Sequence, residues 1–241
     1  MIRSILVVIY IALFLLPVGI PLLLAEWVVA RFSRETMERH TLAIIQHVLR
    51  TRLAIAGTQV SVTGRENIPE GRAVVYFSNH RSYFDVVIGY TLVKGLTGFV
   101  AKQEVGKVPL LAYWMRRLHC QFLDRDSAKE GLRSIVAATE NVQNGISMWI
   151  CPEGTRAHGE TLLPFKEGSF RIALRSDAPI IPVTFVNTDD IYELHRPFIR
   201  PAKVKIHFGE PIETAGISRA EAKAMPERVQ RIVQETYDKM K

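Results

Sequence analysis

An apolar segment near the N-terminus places the strongest constraint on how this chain can fold. From Ser4 to Ala25 the sequence carries no charged residue, and Arg3 and Glu26 bound the run. As one straight helix the run would be about 33 Å long, enough to cross a hydrocarbon core of about 30 Å. A soluble protein could bury such a helix only if its surroundings were apolar on all sides. The segment therefore predicts attachment to a membrane.

Two prolines leave the path of this segment open. Pro17 and Pro21 lie within it, and proline removes a helical hydrogen bond and kinks the chain. The stretch Ile5–Leu16 alone would reach only about 18 Å. The segment is therefore either one kinked span or a two-helix hairpin that enters one leaflet and returns through Leu22–Phe32. A cleaved signal peptide is disfavoured, because the run is longer than a usual signal and no clear cleavage site follows it.

Charge and cysteine usage indicate which compartment the rest of the chain occupies. Arg31, Arg34 and Arg39 follow the apolar run and only Arg3 precedes it, which places the body on the cytoplasmic side. The net charge of +7 suits an anionic surface or substrate. The chain holds two cysteines and no CxxC pair, which argues against a disulfide scaffold and fits a reducing compartment.

Beyond the apolar segment, strand and helix patterns alternate. The pattern divides the chain into an anchor (1–33), an amphipathic connecting helix ended by Gly57 (34–57) and a larger domain (58–241). The predicted strands are Gln59–Thr63, Ala73–Ser78, Gly98–Ala101, Gln121–Asp124, Ile146–Cys151, Ile180–Val186 and Val204–Phe208. Ser218 with Glu221 predicts the start of a C-terminal helix, which Pro226 is expected to interrupt. The fold class is therefore α/β, with a mixed, largely parallel sheet covered by helices.

The sharpest chemical feature is His80 and Asp85, just after the strand Ala73–Ser78. Loops at the carboxyl ends of strands are where α/β sheets usually place their sites. Within one helix, residues five apart would not share a face, but a loop histidine can meet a carboxylate in the first helical turn. Such a carboxylate fixes the tautomer of the imidazole and makes its other nitrogen a better base. The alternative is that Asp85 and Ser82 only begin a helix.

A second feature follows the predicted strand Ile146–Cys151. Glu153, Gly154, Thr155 and Arg156 form a glycine-containing turn that suits an oxyanion such as phosphate, because arginine offers paired donors and the turn exposes backbone N–H groups. Lys166 lies just before a predicted helix start, which also favours anions. The alternative is a polar loop with a surface arginine.

Two further cations follow short strands. Lys102 comes after one predicted strand and Arg125 after the next along the chain. Each could be a solvated surface residue. If the strand ends converge, however, they form a pocket with a base on one side and a phosphate site on the other.

The motifs His80–Asp85, Phe122–Arg125, Glu153–Arg156 and Ile181–Val183 occur in the order and approximate spacing of the glycerolipid acyltransferases. The chain resembles the bacterial 1-acyl-sn-glycerol-3-phosphate acyltransferase family over nearly its whole length. It departs from that family's usual pattern at three positions: His119 replaces a glycine, Gln121 an aliphatic residue, and Cys151 an aromatic or aliphatic one.

The resemblance implies a role for each motif residue. His80 would be the general base and Asp85 its orienting partner. Pro182 would shape the acyl-binding side. The glycerol-phosphate site would comprise Lys102, Arg125, Glu153, Gly154, Thr155, Arg156 and Lys166.

The resemblance also implies a reaction, in which a fatty acyl group passes from acyl-CoA or acyl carrier protein to lysophosphatidic acid and gives phosphatidic acid. It implies no cofactor, no metal and no nucleic-acid partner, and a place at the phospholipid surface of the bacterial inner membrane. Backbone N–H groups near His80 or Gly154 would stabilise the oxyanion. The alternatives are a lysophospholipid acyltransferase for another head group and a lipid hydrolase, although no G-x-S-x-G motif is present.

Overall fold

The structure is a computed structural model that describes residues 1–124 and 127–241. Within these residues the chain forms one sheet of seven strands. The strands are β1 (Gln59–Thr63), β2 (Val75–Ser78), β3 (Thr97–Lys102), β4 (Gln121–Leu123), β5 (Ser147–Ile150), β6 (Ile180–Val186) and β7 (Lys203–Phe208). The α-helices are α1 (Ile2–Leu13), α2 (Gly19–Phe32), α3 (Arg34–Ala56), α4 (Tyr83–Leu92), α5 (Pro109–Arg117), α6 (Ala128–Gln143), α7 (Glu167–Ser176) and α8 (Arg219–Met240).

The sheet is mixed and mostly parallel. Its strand order is β1-β7-β6-β2-β5-β3-β4, and among the pairs of these described strands only β6–β7 is antiparallel. The fold class predicted from the alternation of strands and helices is confirmed. Because β6, β2 and β5 are neighbours that run in the same direction, their carboxyl ends lie together at one edge of the sheet. The loops that follow these three strands form the candidate site.

Both faces of the sheet are buried, as expected for parallel strands covered by helices. Successive residues of β2 point to opposite faces, so Tyr76 and Phe77 lie in different halves of the core. Tyr76 stacks on Trp149 with ring centroids 4.8 Å apart, and Phe77 stacks on Phe170 of α7 at 4.2 Å. The strand that leads into the His80 loop is therefore fixed by aromatic packing on both sides.

The C-terminal helix differs from the sequence prediction. Its start is as expected, because the Ser218 hydroxyl accepts from the Glu221 N–H (3.2 Å) and the Glu221 carboxylate accepts from the Ser218 N–H (2.8 Å). The predicted interruption at Pro226 is wrong, since α8 continues to Met240. Proline costs one backbone hydrogen bond, but here its side chain is buried within the apolar stripe that holds the helix on the sheet. That stripe comprises Met225, Pro226, Val229, Val233 and Tyr237.

The N-terminal segment forms one long helical run. Helices α1 and α2 are joined without a break by a π-helical turn, Phe14–Val18, which contains Pro17. The chain reverses at Ser33, after the run has ended, so the hairpin alternative with arms Ile5–Leu16 and Leu22–Phe32 is not formed. The wider π turn accommodates the missing proline N–H without ending the helix.

Helix α3 returns antiparallel to this run. Arg3 Nη1 donates to the Ile55 carbonyl at 2.7 Å, near the end of α3. At the other end of the pair, the Glu26 carboxylate lies 3.6 Å from the His40 imidazole. Helix α3 in turn packs on α4, because the Gln46 amide donates to two carbonyls at the end of α4, at 3.0 and 2.9 Å. The apolar run therefore connects to the helix that begins at the candidate site.

Candidate active site

The structure brings His80 and Asp85 together. His80 Nδ1 lies 2.8 Å from Asp85 Oδ2. His80 is in the loop after β2, and Asp85 is in the first turn of α4, which is the arrangement that the five-residue spacing requires. The Asp85 side chain is 1% exposed and that of His80 is 21% exposed. The imidazole is thus held from inside the protein, while part of it faces the surface.

The local sequence explains why the Asp85 carboxylate points at His80. Ser82 caps α4, and its hydroxyl accepts from the Phe84 N–H at 3.0 Å. Asp85 Oδ2 accepts from the backbone N–H groups of Arg81 (2.7 Å) and Ser82 (2.8 Å) as well as from the imidazole. Because the carboxylate only accepts in these contacts, Nδ1 carries the proton. Nε2 is left as the basic nitrogen.

The pKa of His80 is raised well above its ordinary value. Burial acts to lower it, but the charge and hydrogen-bond interactions of the imidazole with Cys151 and Asp85 together outweigh burial. Cys151 Sγ also lies 3.5 Å from the Ser78 hydroxyl, which in turn accepts from Trp149 Nε1 at 2.9 Å. The environment therefore strengthens His80 as a proton acceptor.

Glu153 joins the His80 loop to the loop after β5. Its Oε1 accepts from the His80 N–H at 2.7 Å, and its Oε2 accepts from the Leu163 N–H at 2.8 Å. Burial raises the pKa of Glu153, although these hydrogen bonds oppose the rise. A further link runs from the Ala157 N–H to the His80 carbonyl at 2.8 Å. Both oxygens of Glu153 are thus occupied by backbone groups, and the side chain positions the loops.

The structure also brings Lys166 to the Gly154 turn. Gly154 has a φ of +75°, a left-handed conformation that favours glycine. A Cβ placed on Gly154 would lie 2.7 Å from Lys166 Nζ, so any larger residue would have to displace the ammonium. The backbone N–H of Lys166 donates to the Pro152 carbonyl at 3.0 Å, and this bond holds Lys166 next to the Gly154 turn. Thr155 is exposed beside this turn.

Arg156 extends back to the start of α4. Its guanidinium carbon lies 3.8 Å from the centre of the Tyr83 ring, and Nη2 donates to the Tyr83 hydroxyl at 3.2 Å. Nη1 donates to the Glu193 carboxylate at 3.2 Å. The Arg156 side chain keeps 22% exposure. These contacts place a partly exposed guanidinium on the helix whose first turn carries Asp85.

Of the other two predicted cations, the structure describes only Lys102, which lies apart from this group. Lys102 ends β3, which is separated from β2 by β5, so its backbone lies about 10 Å away across the sheet. Its exposed ammonium pairs with Glu104 at 2.7 Å. Arg125 lies outside the described residues. For both residues, phosphate binding stays a prediction.

Pro182 lies inside the sheet. It is buried in β6 opposite Phe77 of β2, and its carbonyl accepts from the Gly209 N–H at 2.8 Å. Gly209 permits this approach, because a Cβ there would lie 3.3 Å from the Pro182 carbonyl oxygen. Pro182 thus contributes to the packing and hydrogen bonding of β6. Its effect on the acyl-binding side stays a prediction.

Two of the residues that depart from the family pattern lie where β4 begins, His119 in the turn before the strand and Gln121 as its first residue. His119 stands where a glycine is usual and has a φ of +59°, so the backbone keeps the left-handed conformation. Its imidazole Nε2 lies 3.0 Å from Glu38 Oε1 of α3, and its carbonyl accepts from the Asn141 amide at 3.0 Å. Gln121, the second departure, directs its amide to the same carbonyl at 3.4 Å. These contacts hold the turn before β4 against α3 and α6.

The cysteines differ in environment. Cys120 is fully enclosed, with the Tyr90 hydroxyl 2.9 Å from Sγ, and burial raises the pKa of its thiol. Cys151, the third departure, is half-buried beside His80.

Sequence reasoning missed two residues that position the site. The Asn79 amide pairs with both the N–H and the carbonyl of Phe185 in β6, at 2.8 and 2.9 Å, and so fixes the end of β2. Asn79 directly precedes His80, and this position was the available signal. Glu193 contacts the start of α4 from a connection that carries no motif.

The fold and site together define a class of protein. A buried carboxylate orients an imidazole at the carboxyl edge of the sheet, and an arginine and a lysine lie in the neighbouring loops. Such a site can take a proton from a hydroxyl while cations hold a nearby anion.

A family model described as Acyltransferase matches residues 59–186, more than half of the chain, and the chain belongs to this acyltransferase family. The resemblance drawn from the four motifs is confirmed.

Named relatives agree with this assignment. The 1-acyl-sn-glycerol-3-phosphate acyltransferase of Saccharomyces cerevisiae is 29% identical over 210 residues, covering 86% of this chain and 64% of that protein. The alpha form from Mus musculus is 30% identical over 179 residues, covering 72% and 61%. The enzyme of the same name from Borreliella burgdorferi is 29% identical over 184 residues, covering 76% and 73%. The chain thus spans less than two thirds of the yeast and mouse relatives.

A solved structure matches over nearly the whole chain. The crystal structure of the 1-acyl-sn-glycerophosphate (LPA) acyltransferase from Thermotoga maritima superposes with a TM-score of 0.84 at 26% identity. The match covers 99% of this chain and 96% of that one, so the N-terminal helices are included.

Proposed function

We propose that this acyltransferase moves a fatty acyl group from a thioester to the sn-2 hydroxyl of 1-acyl-sn-glycerol 3-phosphate, which gives phosphatidic acid. The observation that carries the proposal is the 2.8 Å pairing of His80 with Asp85 in the loop after β2. The loop after the neighbouring strand β5 contains Arg156, and Lys166 Nζ lies against the Gly154 turn of that loop. The base and the cations occupy adjoining loops. This spacing suits an acceptor that carries its hydroxyl and its phosphate on one glycerol unit.

The reaction follows from the protonation states of His80. Nε2 accepts the proton of the acceptor hydroxyl as the oxygen attacks the thioester carbonyl carbon. Asp85 stabilises the imidazolium that forms. As the tetrahedral intermediate collapses, the carbon–sulfur bond breaks and the imidazolium returns the proton to the leaving sulfur. The new ester bond and the free thiol balance the reaction.

The N–H groups expected to stabilise the oxyanion are mostly engaged elsewhere. The His80 N–H donates to Glu153, those of Arg81 and Ser82 to Asp85, and that of Gly154 to the Cys151 carbonyl at 3.1 Å. Side-chain cations next to the Gly154 turn can stabilise the oxyanion instead. Lys166 Nζ lies over the turn, and we assign it to the developing negative charge, which leaves Arg156 as the cation that binds the acceptor's phosphate.

The contacts of the apolar helix support attachment to one leaflet. Its first turn is tied to the body, since Arg3 donates to Ile55 and the Ser4 hydroxyl accepts from the Ile199 N–H at 2.8 Å. Its other end passes through Ser33 into α3. With both ends on the same side, the helix lies along the membrane surface with the body on the cytoplasmic face.

The outer surface of this helix matches hydrocarbon. Side chains more than 60% exposed include Ile2, Val8, Leu24 and Phe32. An apolar groove of about 580 Å³ separates α1 from the start of α5, lined by Val8, Ile11, Ala12, Leu15, Leu16, Val108, Pro109 and Leu110. Lipid chains that fill this groove would bury apolar surface of the protein. Each Å² buried would contribute about 25 cal/mol to the free energy of membrane attachment.

Acyl-CoA and acyl carrier protein are both anionic thioesters, and either suits a protein of net charge +7. No cofactor enters the proposed reaction. Within residues 1–124 and 127–241, no group of three or more His, Cys, Asp or Glu side chains is placed to hold a metal ion.

The test is a substrate panel with the purified full-length chain in mixed micelles. Initial rates are measured with lysophosphatidic acid, lysophosphatidylcholine and lysophosphatidylethanolamine, each with acyl-CoA and with acyl carrier protein as donor. We expect a strong preference for lysophosphatidic acid, because a phosphate monoester carries more negative charge than either diester and no cationic cap. Equal rates with the three acceptors would contradict the proposal and favour a lysophospholipid acyltransferase for other head groups.

A further inference from the structure

Glu193 is a buried carboxylate that the proposed reaction does not use. It lies in a short 3-10 turn on the connection from β6 to β7, and its side chain is 3% exposed. Burying a carboxylate is costly unless its oxygens are hydrogen-bonded and its charge is compensated. The hydrogen-bond and charge partners of Glu193 therefore indicate the function of this buried carboxylate.

One set of partners belongs to the start of α4. Glu193 Oε2 accepts from the Ser82 hydroxyl at 2.5 Å, and Oε1 accepts from the Tyr83 N–H at 2.9 Å. Ser82 is the cap of α4, and the same helical turn contains Asp85. Through these contacts Glu193 is fixed relative to the carboxylate that orients His80.

The second partner is the Arg156 guanidinium. Glu193 Oε1 also accepts from Arg156 Nη1 at 3.2 Å, while the Tyr83 ring and hydroxyl support the same guanidinium from another direction. These two hydrogen bonds use two of the five N–H donors of arginine. The remaining donors have no partner among the described residues and can bind an anion, since 22% of the Arg156 side chain is exposed.

Arg52 of α3 balances the buried charge. Burial lowers the pKa of the Arg52 guanidinium, and the negative charge of Glu193 opposes that change. Arg52 also lies over the Phe84 ring, 4.7 Å from its centre. Because Glu193 interacts electrostatically with Arg52 as well as with Arg156, the three side chains carry a net charge of +1, and Glu193 does not cancel the attraction of Arg156 for an anion.

We infer that Glu193 is a positioning residue that holds Arg156 at a fixed distance from the His80–Asp85 pair, and so sets where the acceptor's phosphate binds relative to the base. The inference rests on the proposed function, in which Arg156 binds that phosphate. One carboxylate oxygen contacts both Arg156 and the first turn of α4. Loss of Glu193 would leave both groups present but would free the guanidinium to move.

The test compares Glu193→Gln, Arg156→Ala and the double variant in the full-length chain, with KM measured separately for lysophosphatidic acid and for the acyl donor. We expect Glu193→Gln to raise the acceptor KM about tenfold or more, as for loss of a charge-assisted hydrogen bond, and to leave the donor KM within about twofold. In the Arg156→Ala background, Glu193→Gln should raise the acceptor KM no further. Glu213→Gln is the matched control, because it breaks an exposed pair with Arg72 and should change neither KM.

The outcomes separate the inference from the function on which it rests. If Arg156→Ala leaves the acceptor KM unchanged, the phosphate assignment fails and Glu193 has no phosphate ligand to position. If Arg156→Ala raises it but Glu193→Gln does not, only the role of Glu193 is overturned. An equal effect of Glu193→Gln with and without Arg156 would assign Glu193 to support of α4 alone and also overturn the inference. If Glu193→Gln does not fold, Glu193→Asp keeps the charge on a shorter side chain and is compared in the same cycle.

Discussion

Asp85→Asn tests the geometry at the centre of the site. The amide oxygen can occupy the place of Oδ2 and still accept from His80 Nδ1 and from the N–H groups of Arg81 and Ser82. The amide NH₂ would then occupy the place of Oδ1, which is buried and has no hydrogen-bond partner in the described part of the chain. Three charge-assisted bonds become weaker neutral ones, and a buried donor is left unpaired. Together these changes cost about 2–4 kcal/mol of unfolding free energy.

The catalytic effect should exceed the effect on stability. Without the carboxylate, the imidazolium formed during proton transfer loses its compensating charge, and kcat should fall about 10²–10⁴-fold. The pKa of His80 should also fall, because the Asp85 hydrogen bond is one of the interactions that raise it. A base must be neutral to accept a proton, so kcat/KM rises with pH through the pKa of His80. In the variant this rise should move to lower pH.

The assay is a pH–rate profile of wild type and Asp85→Asn, with thermal unfolding followed by circular dichroism. A loss of about 2–4 kcal/mol corresponds to a Tm lower by roughly 5–15 °C for a chain of this size. Asp177→Asn is the matched control, because Asp177 is exposed and its φ of +51° is one that asparagine tolerates. An unchanged pH profile together with a kcat above a tenth of wild type would refute the role of Asp85.

Three further predictions concern the phosphate site, the cysteines and the membrane helix. Arg156→Ala should raise the KM for lysophosphatidic acid at least about tenfold, with the donor KM little changed; an enzyme indifferent to acceptor concentration would contradict the phosphate site. The double Cys120→Ser, Cys151→Ser variant should remain active and form no acyl-enzyme, as judged by mass spectrometry of the protein incubated with donor alone. Val8→Lys with Leu24→Lys should weaken liposome flotation at an unchanged Tm, because both side chains are more than 60% exposed; undiminished flotation would assign attachment to another surface.

Much of the fold and half of the site follow from local sequence patterns. The strands are short buried or alternating runs bounded by turn residues, and parallel strands place their carboxyl ends at one edge, so the sequence predicts the loops containing His80 and Gly154 at the same edge of the sheet. The strand order that makes these two loops neighbours comes from the structure. The contact of His80 with Asp85 follows from the capping pattern around Ser82. These features depend on residues within a few positions of one another.

The remaining features depend on contacts between distant segments. Glu193 lies 110 positions after its partner Tyr83, and a single glutamate in an irregular connection carries no pattern that indicates this contact. Glu153 lies in a recognisable motif, but its direction is set by backbone N–H groups that only the folded loops supply. Pro226 shows the reverse case, in which burial of the whole helix face outweighs a local helix-breaking preference.

The most direct test of the account is the rate of phosphatidic acid formation by His80→Ala at saturating lysophosphatidic acid and acyl donor. His80 is the residue whose free imidazole nitrogen accepts the proton in the proposed reaction. The variant also removes one hydrogen bond to the buried Asp85 carboxylate, so its Tm is measured alongside the rate to establish that it folds. The account predicts a kcat at least about 100-fold lower than that of wild type, as expected for loss of a general base. A folded His80→Ala enzyme that keeps more than about a tenth of the wild-type rate would contradict it.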